Sequence, residues 1–149
     1  MKNGMAENII TQDQIIINSD IETIADTRRW AAQHAKAAGF DEDAVFAIEL
    51  AVGEAVTNII RHAYDNQPGH KIHLSLTIDD TKLRLRILDF GRKFDPANHP
   101  PPNLDAPREG GYGIYLMKKV MDEVIYDTTT HPQGTQLDLV KYRATIAKD

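Results

Sequence analysis

Between Ile72 and Ile87 apolar and polar residues alternate in two runs, Ile72, Leu74, Leu76, Ile78 and then Leu83, Leu85, Ile87, separated by an Asp79-Asp80 turn. Successive side chains of a strand point to opposite faces, so this pattern makes two antiparallel strands with one apolar and one polar face. Such a sheet needs a covering layer on its apolar side, while the polar side stays open to water. The rest of the chain has to supply that layer.

Upstream, Gln14 to Asn18 holds three consecutive isoleucines and reads as a further strand. Ser19 and Asp20 offer N-cap oxygens to a helix over Ile21 to about Ala38, which Gly39 stops. Asp41, Glu42 and Asp43 place negative charge where a second helix begins, and this one runs to about Tyr64. Gly53 inside it costs up to ~1 kcal/mol relative to alanine unless close packing requires it. Asp65 to Gly69 is dense in turn residues and breaks the pattern. Phe90 to Arg108 has many prolines and no sustained period, the mark of a functional or disordered loop. Gly110, Gly111 and Gly113 then lead into a third helix over IYLMKKVMDEV, with Ile114, Met117, Val120 and Met121 on one face. Val124, Tyr126 and Thr128, a turn at His131 to Gly134, and Leu137 and Leu139 make a last hairpin. The order strand, two helices, hairpin, loop, helix, hairpin predicts an α+β, two-layer α/β sandwich with helices on one face of a mostly antiparallel mixed sheet.

With 149 residues the chain suits a single domain, 1–149, able to bury roughly 70% of its unfolded surface. A formal charge of −5, with no basic cluster beyond pairs such as Arg28-Arg29, gives no electrostatic grip on a nucleic-acid backbone. No apolar run reaches the ~20 residues that cross a bilayer, and the first residues lack a signal peptide's apolar core, so a cytoplasmic protein is expected. The absence of cysteine excludes disulfides and thiolate metal sites. His70 and His73 flank a strand without further ligands nearby and read as solvent-facing.

Three segments carry chemistry. Glu54, Asn58 and His62 stand at i, i+4 and i+8, so three polar groups share one face of an otherwise apolar helix. Asn58 has a neutral oxygen suited to a hard cation such as Mg²⁺, and Glu54 suits the removal of a proton from an attacking hydroxyl. The ordinary alternative for Glu54 is an ion pair with Arg61 or another neighbour. Asp89 ends a strand where a loop begins; it either bonds its own loop or accepts from an exocyclic amine. The glycines before the third helix make a tight turn or, with exposed N–H groups, an anion cradle. Lys118, five residues into that helix, reads as solvent-facing.

The order E-A-V-T-N-I-I-R-H-A-Y, D-F-G, E-G-G-Y-G-I-Y-L-M, G-T-Q-L-D-L resembles the Bergerat-fold ATP-binding domain of the GHKL superfamily, within it the bacterial anti-sigma-factor serine/threonine kinases. The resemblance spans residues 19–142. It implies ATP and Mg²⁺ as cofactors, Asn58 as metal ligand and Glu54 as general base. It also implies that Asp89 recognises the adenine amino group, that Gly91 lets the base approach, and that Thr135 lies near the adenine. Gly110, Gly111 and Gly113 would stand beside the phosphates, His62 on the phosphate side, and Arg108 near the γ-phosphate. Residues 94–110 would form a mobile lid over the nucleotide. Where many superfamily members have a second glycine after Gly91 this chain has Lys93, which predicts a differently shaped loop. No helical hairpin with a phosphoacceptor histidine is seen, so a complete sensor kinase is not expected.

The implied activity is phosphorylation of a STAS-type anti-anti-sigma antagonist, with a sigma factor as the competing partner, and a homodimer with the first helix and first strand as its surface. The alternative keeps the fold without the reaction: a nucleotide-binding interaction module that sequesters another regulator. A repair or chaperone ATPase would need further domains.

Overall fold

The alternating strands become the middle of a five-stranded sheet, in a computed structural model that describes residues 11–103 and 112–144. Its elements are β1 (Thr11–Asn18), α1 (Thr23–Ala37), α2 (Glu42–Asn58), β2 (Lys71–Ile78), β3 (Lys82–Asp89), α3 (Gly113–Val120), β4 (Glu123–Asp127) and β5 (Gln136–Tyr142). The strands lie in the order β1-β2-β3-β5-β4, and all four ladders are antiparallel. The inward residues of β2 and β3, from Ile72 to Ile87, are buried against α1 and α2 together with Leu137 and Leu139 of β5. This is the expected two-layer α+β sandwich.

Local chemistry sets the element ends. The Asp79 carboxylate accepts from the backbone of Thr81 and Lys82 and so closes the β2–β3 turn. Asp41 caps α2 by accepting from Ala44 N at 2.8 Å. Ser19, expected to cap α1, instead donates its hydroxyl to Gln67 O and accepts from His70 N, which ties the end of β1 to the start of β2. The expected third helix is shorter than its apolar face suggested. Met121 turns to extended backbone because Asp122 N already donates to Val140 O, and β4 begins pairing at Glu123.

Of the three isoleucines in β1, Ile15 and Ile17 face the core while Ile16 is exposed on the open face. Asp13 on the same strand accepts from Trp30 Nε1 at 2.9 Å and bonds His34 Nε2 at 2.8 Å, pinning α1 to this sheet edge. Gly53 is explained by α1 as well: a Cβ there would stand 3.0 Å from Arg28 Cδ, so the arginine stem lies across the gap.

On the open face Asp138 is buried between two arginines, with Arg86 bonded through Nε at 2.9 Å and Nη2 at 3.0 Å and Arg84 through Nη1 at 3.2 Å. Removing the carboxylate strands two guanidinium groups, although both reach solvent and can rehydrate. Asp138→Ala should therefore lower the unfolding free energy by about 2 kcal/mol in urea titration, with the denaturant slope unchanged.

Candidate functional site

α2 does not end as a regular helix. After Asn58 the chain passes through one π-helical turn, Ile59–Ala63, in which Tyr64 N donates to Ile59 O at 3.0 Å. The carbonyls left at its end face the loop after β3. Arg92 N donates to Ala63 O at 2.8 Å, and its guanidinium reaches His62 O at 3.1 Å. Gly91 permits the contact, since a Cβ there would lie 2.3 Å from Ala63 O. Tyr64 adds a second fastening by donating its hydroxyl to Lys71 O at 2.6 Å and accepting from Phe90 N at 2.8 Å.

This docking brings Asp89 beside α2. Asp89 is 3% exposed, and its carboxylate accepts from Gly91 N at 3.0 Å. Burial pushes its carboxyl up to about 6, against the pull of backbone donors at Gly91 and Thr135 and the charge of Lys93. Thr135, also buried, accepts from Asp89 N through its carbonyl and from Phe94 N through its hydroxyl at 2.8 Å. Gly134 precedes it with φ +81°, where a Cβ would meet Asp89 O at 1.9 Å. Lys93, in place of a glycine, donates to His131 O and Gly134 O at 2.9 and 3.0 Å. The loop keeps its shape by a side-chain tie to the β4–β5 turn.

These groups line a cleft of about 230 Å³, walled by Ala55, Ile59, Asp89, Thr135 and Leu137 and by a stacked pair of rings, Phe94 on Tyr126 at 3.8 Å. A second compartment of about 290 Å³ adjoins it, between α2 and α3, lined by Glu54, Thr57, Arg61 and Gly113 with Pro100 to Pro102. Asn58, His62 and His99 border both. His99 meets His62 edge to face at 4.7 Å and stacks on Phe94 at 5.1 Å. Partial burial, then Arg61 and Arg92, hold His62 below the usual imidazole range; burial and then His62 do the same for His99, with Asp95 opposing.

In the second compartment the first residue of α3 sits on the polar stripe of α2. A Cβ on Gly113 would lie 2.7 Å from Glu54 Oε1 and 3.2 Å from Asn58 Nδ2, so any larger residue would displace the Glu54 carboxylate. Among the described residues Glu54 has no ion-pair or hydrogen-bond partner, and the pairing with Arg61 is not formed. The Asn58 Nδ2 is buried with no partner in the described structure. A buried amide seldom goes unpaired, and its oxygen and nitrogen exchange by rotation, so the site fits a ligand or cation that the amide oxygen would complete. Among the described residues no cluster of three acidic or histidine side chains is placed to hold a metal by itself. A cation here would need oxygens from a second ligand, such as phosphates.

Glu54, Asn58, His62, Asp89, Gly91, Gly113 and Thr135 thus line or support two adjoining compartments that share Asn58, His62 and His99. Arg108, Gly110, Gly111 and the lid from residue 104 onward lie outside the described residues. Lys118 is exposed at the rim of the second compartment. Sequence reasoning missed Tyr64, Phe94, His99 and Tyr126. Four aromatic rings close to a suspected base site were a usable signal, but their partners are distant in sequence.

The raised carboxyl of Asp89 carries a pH signature. Its folded value, about 6, stands above the ordinary 3.8, so the folded chain favours the protonated form and stability falls as pH rises between the two. Above that window the penalty is complete. Asp89→Asn should stabilise the protein by up to about 3 kcal/mol at neutral pH and above, and the gain should vanish near pH 4. Denaturant titrations of both proteins across that range would test this; a gain independent of pH would contradict it.

Comparison with known proteins bears on this cleft. Residues 17–141 match the family described as the histidine kinase-like ATPase domain. A serine-protein kinase RsbW of Staphylococcus epidermidis is 36% identical over 114 residues, 70% of either chain. RsbW of Listeria monocytogenes is 30% identical over 118 residues, 72% of either chain. The solved RsbU and RsbW domains of a Mycobacterium tuberculosis protein share the fold, with a TM-score of 0.67 at 16% identity over 93% of this chain; the match spans 34% of that longer chain. The protein belongs to the histidine kinase-like ATPase domain family, and among its members it is similar to the RsbW serine-protein kinases.

Proposed function

We propose that this protein is an anti-sigma factor and ATP-dependent serine/threonine kinase, whose substrate is a STAS-domain anti-anti-sigma antagonist. The observation that carries the reading is the meeting of Glu54 and the Asn58 amide, both without a partner among the described residues, with the Cβ-free face of Gly113 at one end of a cleft whose other end holds the buried Asp89. RsbW relatives are named serine-protein kinases, which supports transfer to a protein hydroxyl.

In this reading Asp89 accepts from the adenine amino group, a contact that would offset the cost of its burial. Thr135 flanks the base. Asn58 would hold Mg²⁺ through its amide oxygen, and the ion, when bound, supplies charge neutralisation on the phosphates. Gly113 leaves room for the phosphate chain beside the start of α3. Glu54 orients the acceptor hydroxyl and takes its proton as the hydroxyl oxygen bonds to the γ-phosphorus and the bond from that phosphorus to the β–γ bridging oxygen breaks, releasing ADP. Arg108 and Gly110 belong to the lid part of the proposal, the lid being residues 94–110, and Gly111 would stand with Gly113 beside the phosphates.

Regulation follows by partner exchange. The unmodified antagonist competes with a sigma factor for this protein, and its phosphorylation adds charge beside an acidic surface and releases it. A homodimer acting in the cytoplasm is part of the same proposal; among the described residues no helix is long and apolar enough to cross a membrane. The alternative of a non-catalytic module that sequesters another regulator is disfavoured by the cleft-facing Glu54 carboxylate, which no cation among the described residues pairs.

The decisive experiment incubates the protein with γ-labelled ATP and each STAS-domain protein of its own genome. Transfer of label to a serine or threonine is expected, whereas ATP binding without transfer would favour the sequestering module. Glu54→Gln should keep its ATP dissociation constant within about twofold and lose transfer by about a hundredfold or more. Transfer at the wild-type rate would remove Glu54 as the base.

A further inference from the structure

We propose that His99 is a nucleotide-binding residue of this cleft, donating an imidazole N–H to the α-phosphate from a waist that it forms with His62. The inference rests on the nucleotide reading above and extends it to a residue outside the motifs that suggested that reading.

Position is the first argument. Among the described residues, the compartment with Asp89 and Thr135 and the compartment with Glu54 and Gly113 share Asn58, His62 and His99, so these three side chains stand where the two meet. A nucleotide with its base at Asp89 and its terminal phosphate at Glu54 has to cross from one to the other at that point. The part of the molecule lying there is the junction of ribose and α-phosphate.

The second argument is that His99 is held in place from behind. Phe94 is fixed through Phe94 N to Thr135 Oγ1 at 2.8 Å and by stacking on Tyr126 at 3.8 Å. Asp95 caps the short turn that follows by accepting from Ala97 N at 3.0 Å, and His99 N closes it on Pro96 O. The turn returns the chain so that the imidazole of His99 lies on the Phe94 ring at 5.1 Å, with its neighbour His62 edge-on at 4.7 Å. Residues 94–99 are therefore a strap built on the sheet, and the ring is oriented before any ligand arrives.

Chemistry is the third. A neutral imidazole keeps one N–H donor, and a hydrogen bond to a charged phosphate oxygen is worth more than one between neutral groups. The competing explanation is that His99 only completes an aromatic stack, for which phenylalanine would serve as well.

Calorimetry with the full chain against adenosine, AMP and ADP separates the two. His99→Phe keeps the stack and removes the donor; His99→Ala removes both. Both variants should weaken AMP and ADP by the same factor, about tenfold, and leave adenosine unchanged. The proposal is overturned if His99→Phe binds AMP as the wild type does, since packing would then suffice. It is also overturned if the loss extends to adenosine, or appears only from ADP onward, because the contact would then be to the base and ribose or to the terminal phosphates. If the wild-type chain bound none of the three, the nucleotide reading itself would fall, a result distinct from all the others.

Discussion

The contact between the π-turn after Asn58 and the loop after Asp89 sets the geometry of the whole cleft. α2 carries its polar stripe at a fixed pitch, and β3 carries Asp89 at a fixed register in the sheet, so neither element can adjust alone. Arg92 bonding to the carbonyls of His62 and Ala63, with Gly91 pressed beneath Ala63, is what brings the two frames together. The extra residue in the helical turn is the local price of that approach, a common use of π-turns at functional sites. Tyr64, bridging Lys71 and Phe90, holds the same joint from the other side.

Around the joint the chain keeps groups that folding alone would not select. Asp89 is a buried acid, and Lys93, whose charge acts on it, is occupied with two carbonyls. Asn58 buries an amide without a partner among the described residues, and Gly113 forgoes a side chain in the first turn of a helix. Each weakens the empty fold, and each makes sense when a polar ligand completes it. The rest of the molecule is conventional by contrast: the inward residues of β2 and β3 from Ile72 to Ile87, with Leu137 and Leu139 of β5, are apolar, and Asp138 on the open face is paired with two arginines.

Much of this was legible from periodicity. The alternation from Ile72 to Ile87 dictated the central hairpin, and the spacing of Glu54, Asn58 and His62 dictated a polar helix face, because both patterns are local. The break of α3 at Val120 was not legible, since Met121 belongs to the apolar face but obeys the ladder between Asp122 and Val140. Ser19 looked like a helix cap and became a staple to Gln67 and His70, partners about fifty residues away that no local rule could supply. The π-turn depends on acceptors wanted by Arg92, and the strap at Phe94 depends on Tyr126 and Thr135. Each is decided by tertiary contacts formed across the sheet.

The strand order adds a consequence for how the molecule comes into being. β3 lies beside β5, not β4, and the paired residues Arg86 and Asp138 are 52 positions apart in the chain. Closing so long a segment is entropically costly and slow compared with forming the β2–β3 hairpin. Thr135 and Gly134, which press on Asp89, arrive only with that late strand. On a ribosome, a nascent chain ending before Gly134 would possess both helices of the first half and the central hairpin yet lack the groups that close on Asp89, so the cradle would be complete only once β5 has emerged.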